Sequence, residues 1–395
     1  MVRARAYVLM LLMLAVLTGC SKDPDYPEDK GTGVPISFST SIAGLQAGTK
    51  VTMEQKLTTE ADFAGKSFRV FGTWDTPGGS TAQVFNNNQT VSNSGGLTAA
   101  TWDWTYTPTR YWQFGGSYEF TAVHPSTANC LSSSSGKTIL IQYNMHEDYD
   151  LMVASGRRNV DTYEDTPGNA MSDPVDLHFR HACAAGQFRF MTSKDAMATY
   201  YLKSFELKYL KAIGTLIYSS NDSVIRMEGD LAGENWYPSP SQATSVFSYT
   251  DAMLGDTWVI PKLDSWDDWW DGTDPDTDEP LVEDKWKVWH YVIPQDMETD
   301  PATHESPSVH FSVAVGSPDS TPVHTTITLP QTYPMDYGGE SATAAQIALR
   351  GQPLVWEPGK VYVYQILVEP TSASISVFAQ DWDTAIVSVD DVIMI

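Results

Sequence analysis

Three groups of side chains in this chain are of types that do chemistry. His178, His181 and Cys183 stand close together, and imidazole and thiolate are the usual donors of a zinc site. They fall in an alternating run, Val175, Leu177, Phe179, His181 and Cys183. On a strand with a two-residue period, His178 points away from His181 and Cys183, so the three converge only if a bulge intervenes. His146 and Glu147 begin like a zincin helix, yet no histidine follows four residues after His146, and the second ligand is missing. Trp266, Trp269, Trp270 and Trp286 are interleaved with Asp264, Asp267, Asp268, Asp271, Asp274, Asp276, Asp278 and Glu279. Exposed indoles beside carboxylates make a glycan platform, with Trp266, Trp269 and Trp270 as the contacts. The plainer reading is a solvated acidic insertion whose tryptophans cover a sheet edge. The run Asp274 to Asp278 lacks the glycine and terminal glutamate of a calcium loop. There is no GxSxG elbow and no phosphate-binding glycine loop. A glycosidase would need a carboxylate pair whose separation a sequence does not give. The expectation is a non-enzyme with no metal and no cofactor.

The elements that would position such groups begin after a leader. Arg3 and Arg5 precede an apolar run over residues 7–17, which ends in Leu17, Thr18, Gly19 and Cys20. That run has the length of a signal-peptide core and is too short to span a membrane as a mature helix. The ending resembles the lipobox of bacterial lipoproteins, which implies a signal peptide over 1–19 and lipidation of Cys20. Several acyl chains on one cysteine suffice for stable attachment, since each buried methylene contributes about 0.8 kcal/mol. Residues 20–33 carry Asp23, Pro24, Asp25, Pro27, Glu28 and Asp29, an acidic tether with nothing to bury. Such a stretch after the cysteine resembles the surface-export signals of Bacteroidales lipoproteins, which implies an outward-facing protein held to the outer membrane by its lipid alone.

With 24 basic against 49 acidic side chains and a net charge of −25, the chain is a poor ligand for nucleic acid, which needs clustered lysine and arginine. Length allows two ordinary cores. Apolar residues recur with a two-residue period, as in Tyr118, Phe120, Ala122 and His124, with Glu119 and Thr121 between them. The same period runs through Tyr201, Phe205, Leu207 and Tyr209, then Tyr362, Tyr364, Ile366 and Val368, then Ile375, Val377 and Ala379. Turn residues separate these runs, so the fold class is all-β, built of antiparallel sandwiches. The polar stretch over 157–174 places a boundary between a first sandwich at 34–172 and a second at 173–384, with an insertion at 253–290.

Trp102, Trp104, Tyr106, Pro108, Arg110, Tyr111 and Trp112, then Gly116, Tyr118, Phe120, Ala122, His124 and Pro125, resemble a pattern of the fimbrillins, subunits of Bacteroidales surface pili. The runs beginning at Asp150, Val175, Tyr291 and Gly359 resemble successive landmarks of that family in order. The resemblance implies two transthyretin-like sandwiches in tandem. By themselves, Trp102, Trp104 and Tyr106 read as the aromatic face of a core, and Arg110 as a structural side chain.

The resemblance also implies an assembly route. A protease removes the first strand of a lipoprotein precursor, and a C-terminal strand of the next subunit fills the groove, which is β-strand addition. Residues 35–42 are the candidate removable strand, within 34–50, with Ile36 and Phe38 on one face. Lys50 and Val51 stand where many family members are cut after arginine, so they are the expected processing site, with a protease that accepts lysine. The alternative is an uncut loop. The tail 385–395 alternates Val387, Val389, Ile393 and Ile395, interrupted by Asp391, and is the candidate donor. Expected partners are other fimbrillin subunits, the processing protease, and host or bacterial surface ligands. The alternative function is a monomeric surface lipoprotein that binds glycans through its tryptophans.

Overall fold

The computed structural model describes residues 32–42, 65–93, 104–132, 137–147, 149–160, 171–219, 236–238, 247–250, 258–263, 287–299, 304–337, 342–370 and 372–381. These residues form strands almost throughout. The first half contributes β1 (Phe38–Ile42), β2 (Ser67–Asp75), β3 (Thr81–Asn93), β4 (Trp104–Thr105), β5 (Ser117–His124), β6 (Asn129–Ser132), β7 (Thr138–Asn144), β8 (Met152–Asn159) and β9 (Val175–His181). The second half begins with β10 (Ala184–Ser193), β11 (Tyr200–Lys208), β12 (Ile213–Ser219), β13 (Trp236–Pro238), β14 (Phe247–Thr250) and β15 (Lys262–Leu263). It continues with β16 (Lys287–Val292), β17 (Ser308–Val315), β18 (Val323–Thr328), the helix α1 (Ala344–Leu349), β19 (Lys360–Val368) and β20 (Ala373–Asp381).

A seven-stranded sheet runs β1-β9-β8-β5-β2-β3-β4. It rolls until its two ends meet across an aromatic core, because Phe38 on the first strand of that order touches Phe85 on β3 near the other end. The inside of the roll holds Phe68, Val70, Phe120, Ala122, Leu177 and Phe179, all buried. Gly72 makes this possible, since a Cβ there would lie 2.8 Å from the Phe85 ring and 2.9 Å from the Phe120 ring. Bulges flank it on β2, where the pairing with β3 slips.

The second core lies between a sheet of β15, β10, β19 and β20, joined by β16, and a sheet of β14, β11, β17 and β18. Phe188 and Phe190 of β10 meet Phe205 of β11 and Phe311 of β17 across that gap, and Tyr364 of β19 stacks on Phe188. A β-sandwich is what two sheets with apolar inner faces form. The all-β class expected from the two-residue period is the class observed.

Four features differ from the sequence reading. Strand β9, after the expected boundary at 172, pairs with β1 and β8 of the first sheet, while β7, before that boundary, pairs with β12. The halves therefore exchange strands, because β6 and β7 form a hairpin that turns its apolar face to the second core. On β5, Glu119 and Thr121 are buried along with Tyr118 and Phe120. The outer face is covered too, and Glu119 is matched there by Arg157 and Lys137. On β11 the buried residues are Tyr200, Leu202, Phe205 and Leu207, and Tyr201 is only half-buried. A bulge between Leu202 and Ser204 moves the apolar face by one residue. The insertion expected at 253–290 is narrower, since Trp258, Ile260 and Leu263 at one end and His290 on β16 at the other are buried.

Candidate functional site, the groove beneath the first strand

The segment from Thr32 to Ile42 closes the rolled sheet from its open side. Its first part runs antiparallel to the stretch after β4: the Ile36 amide donates to the Arg110 carbonyl at 2.9 Å, and the Trp112 amide donates to the Val34 carbonyl at 3.1 Å. Its second part is β1, paired in parallel with β9 from Phe38 opposite Val175 to Ile42 opposite Phe179. The Val175 amide donates to the Ser37 carbonyl at 2.8 Å. One short segment thus joins the two lips of the roll. Gly156 on β8 is part of this geometry, because a Cβ there would sit 2.6 Å from Val175 and 3.2 Å from the Asp176 carbonyl. Any larger residue would push β9 outward.

The alternation of β1 decides what the groove holds. Ile36, Phe38 and Thr40 are buried, while Ser37 and Ser39 between them are not. Phe38 sits in a slot of four rings, with centroids 6.3 Å from Phe68, 6.1 Å from Phe85, 6.0 Å from Tyr106 and 5.4 Å from Phe120. Its burial alone contributes roughly 1.5–3 kcal/mol, and edge-to-face ring contacts add to that. At the far end the slot turns polar: Trp104 Nε1 donates to Thr40 Oγ1 at 3.2 Å, in a buried position. The Tyr106 hydroxyl donates to the Ile36 carbonyl at 2.7 Å, and burial pushes that hydroxyl's pKa up to about 12. Trp104 and Tyr106 are therefore walls of the groove, as their alternation implied. Trp102 lies outside the described residues.

Other groups with chemical potential resolve into structural roles. Asp176 Oδ2 pairs with His178 Nε2 at 2.9 Å, and Ser39 Oγ donates to Asp176 Oδ1 at 3.4 Å. Serine and histidine both touch the carboxylate, whereas a nucleophilic triad needs the histidine between serine and carboxylate. His181 points inward to Asp150 at 2.9 Å, on the opposite face from His178, as the strand period requires. Among the described residues no three His, Cys, Asp or Glu side chains are grouped to hold a metal ion. Cys130 and Cys183 are both buried and form no disulfide with each other. Burial pushes the Cys130 thiol up to about 11, against the charge and hydrogen bond of Arg69, so it is no activated nucleophile.

Cys20, Lys50, Val51, Trp266, Trp269, Trp270, Val387, Val389, Ile393 and Ile395 lie outside the described residues. In chain order Lys50 and Val51 fall between β1 and β2, the three tryptophans between β15 and β16, and the tail follows β20. The sequence reading named Ile36 and Phe38 as groove residues. It missed Thr40 and the four-ring slot, because a slot assembled from β2, β3, the stretch after β4, and β5 leaves no local pattern.

The described residues form an all-β arrangement of rolled and paired sheets in which an edge strand, β1, covers the first core. The fimbrillin-like family model matches residues 49–382, and the chain belongs to that family. Membership carries a fimbrial subunit role at the cell surface, among other fimbrillin subunits. Solved structures similar to it include a fimbrial protein from Bacteroides vulgatus, 11% identical, with 88% of this chain and 99% of that one covered and a TM-score of 0.49. Another is the tip fimbrial protein Mfa3 from Porphyromonas gingivalis with a C-terminal truncation, 12% identical, covering 82% of this chain and 96% of that one at a TM-score of 0.36. No curated protein matches the chain. Among the described residues no helix is long and apolar enough to cross a membrane.

Proposed function

We propose that this chain is a fimbrial shaft subunit that reaches the outer membrane as a lipoprotein through Cys20 and is cut between Lys50 and Val51. It then polymerises when the tail 385–395 of one copy enters the groove that β1 leaves in another. The observation that carries this reading is the position of β1. Its segment joins the two lips of the rolled sheet by backbone hydrogen bonds on both sides, and its inward side chains are the plug of an aromatic slot. The connection from β1 to β2 contains Lys50, so a cut there would free β1 from the body covalently and leave the slot open to water. A strand of matching alternation from a second copy would restore both the hydrogen bonds and the burial. The buried side chains of β1 hold the slot closed until then, so the lipid delivers a subunit that does not assemble early.

The test is to treat the purified chain with a Lys-specific protease and follow both termini. A new N-terminus at Val51, with ladders of detergent-resistant oligomers that vanish when 385–395 is deleted, is the expected result. A body that stays monomeric after cleavage at Lys50 overturns the proposal. A surface form that keeps a blocked Cys20 in a fibre would assign it instead to a base position.

A further inference from the structure

The groove specifies more than an apolar plug. Read inward along the first segment, Val34, Ile36 and Phe38 are apolar and pack into the first core, and Thr40 then presents an oxygen to Trp104 Nε1 at 3.2 Å. The slot therefore asks for three apolar side chains and then a hydrogen-bond acceptor, at two-residue spacing. Thr40 is only 4% exposed, so a replacement strand that brought a purely apolar residue to this place would take the acceptor from a buried indole N–H. That loss costs more than the hydrogen bond itself contributes.

In the sequence of the tail, the residues at alternate positions are Ala385, Val387, Val389, Asp391, Ile393 and Ile395. Asp391 breaks an otherwise apolar face, which is costly in a strand meant to be buried. It is also the fourth alternate position, after three apolar ones. Resting on the strand-exchange reading, the geometry points to Asp391 as the residue that sets the register of the incoming strand. Ala385, Val387 and Val389 take the places of Val34, Ile36 and Phe38, and the Asp391 carboxyl takes the place of Thr40 Oγ1 as acceptor for Trp104 of the receiving copy. A slip of one residue turns the apolar face outward. A slip of two puts the carboxyl into the slot of Phe68, Phe85, Tyr106 and Phe120, where the single hydroxyl, that of Tyr106, is already taken by the strand's backbone carbonyl, as it is by Ile36 in β1's own segment. The polar residue thus costs affinity in every register but one, the use to which buried polar groups are put in other strand and helix pairings.

The experiment compares oligomer yield after Lys-specific cleavage in the full chain and in two tail variants. Asp391→Val makes the tail more apolar, so a simple hydrophobic plug predicts more oligomer; this proposal predicts about tenfold less, from the indole left without its acceptor. Asp391→Asn keeps an acceptor without the charge and should give at least the yield of the unaltered chain. Adding Trp104→Phe to Asp391→Val should recover most of the loss, since the donor is then gone as well. Should Trp104→Phe fail to fold before cleavage, judged by its thermal unfolding, the Asp391 pair decides alone. Equal or higher yield with Asp391→Val while the unaltered chain polymerises overturns the register and leaves the exchange standing. Absence of oligomers from the unaltered chain after cleavage overturns the exchange reading, and the register with it.

Discussion

The two cores of this protein are closed in different ways. In the second, Phe188 and Phe190 lie on β10, which is paired with β19 on one side and with β16 and β15 on the other. Nearly every side chain of β10 is buried. In the first, the comparable plug, Phe38, lies on a strand at the end of its sheet, paired with β9 alone. A central strand cannot leave without dismantling its sheet, whereas an edge strand can leave and take only its own contacts. The difference teaches where replacement is physically possible: β10 is held from both sides, whereas β1 is held within its sheet by β9 alone.

The largest effect should come from emptying the two plugs separately. Phe38→Ala should cost about 3–5 kcal/mol, as large-to-small core changes do, but the loss should be local. Amides of β9 from Val175 to Phe179 and of the stretch at Arg110 to Trp112 should exchange faster, while β10 and β19 keep their protection. Phe188→Ala, of similar cost, should lower protection across β10, β11 and β19 together. Hydrogen exchange read by segment checks this. Uniform loss in both variants would break the comparison and make the first core as cooperative as the second.

Much of this architecture was legible in the residues, for reasons that show where legibility stops. Strand β9 alternates without fault, buried at Val175, Leu177, Phe179 and His181 and open at Asp176 and His178, because one face meets the core and the other meets water. Strand β11 misleads because a bulge at Leu202 and Ser204 shifts its phase, which no two-residue period reveals. The assignment of β7 to the second core was hidden for a different reason: pairing partners are set by the whole chain, and β12 lies far along it. The helix α1 carried a local signal that went unread, the capping box of Thr343 and Gln346. Of the candidate site, the plug residues Ile36 and Phe38 were visible as an alternating pair, but the rings around them come from distant strands.

A smaller effect sharpens the comparison at the joint between the cores. His124, at the end of β5, is buried, and its Nδ1 lies 3.0 Å from the Ser67 carbonyl. Burial lowers its pKa to about 4; Lys66 and His181 act in the same direction, while Asp150 and the Ser67 carbonyl oppose them. The unfolded chain takes up the proton near pH 6.5, so between 6.5 and 4 the unfolded state binds more protons and stability falls as pH falls. The contribution is complete above pH 6.5, and the loss by pH 4 is about 3 kcal/mol. His124→Gln should flatten the urea-midpoint profile over that window. An unchanged slope would place the acid sensitivity elsewhere.

The smallest effect separates neighbours on β1 itself. Thr40 is buried and accepts from Trp104, whereas Ser39 faces outward with only a 3.4 Å contact to Asp176. Valine is nearly isosteric with threonine and favours strands more than serine does. Thr40→Val should therefore lower stability by about 1–2 kcal/mol, because a buried donor loses its acceptor. Ser39→Val should change it by less than about 0.5 kcal/mol. The readout is the midpoint of urea unfolding in the uncut chain, with the slope required to stay the same so that only the native state is compared. If both substitutions cost alike, the polar end of the slot contributes nothing specific, and the edge strand is held by its apolar residues alone. If Thr40→Val alone is costly, the slot reads chemistry as well as shape in its own first strand.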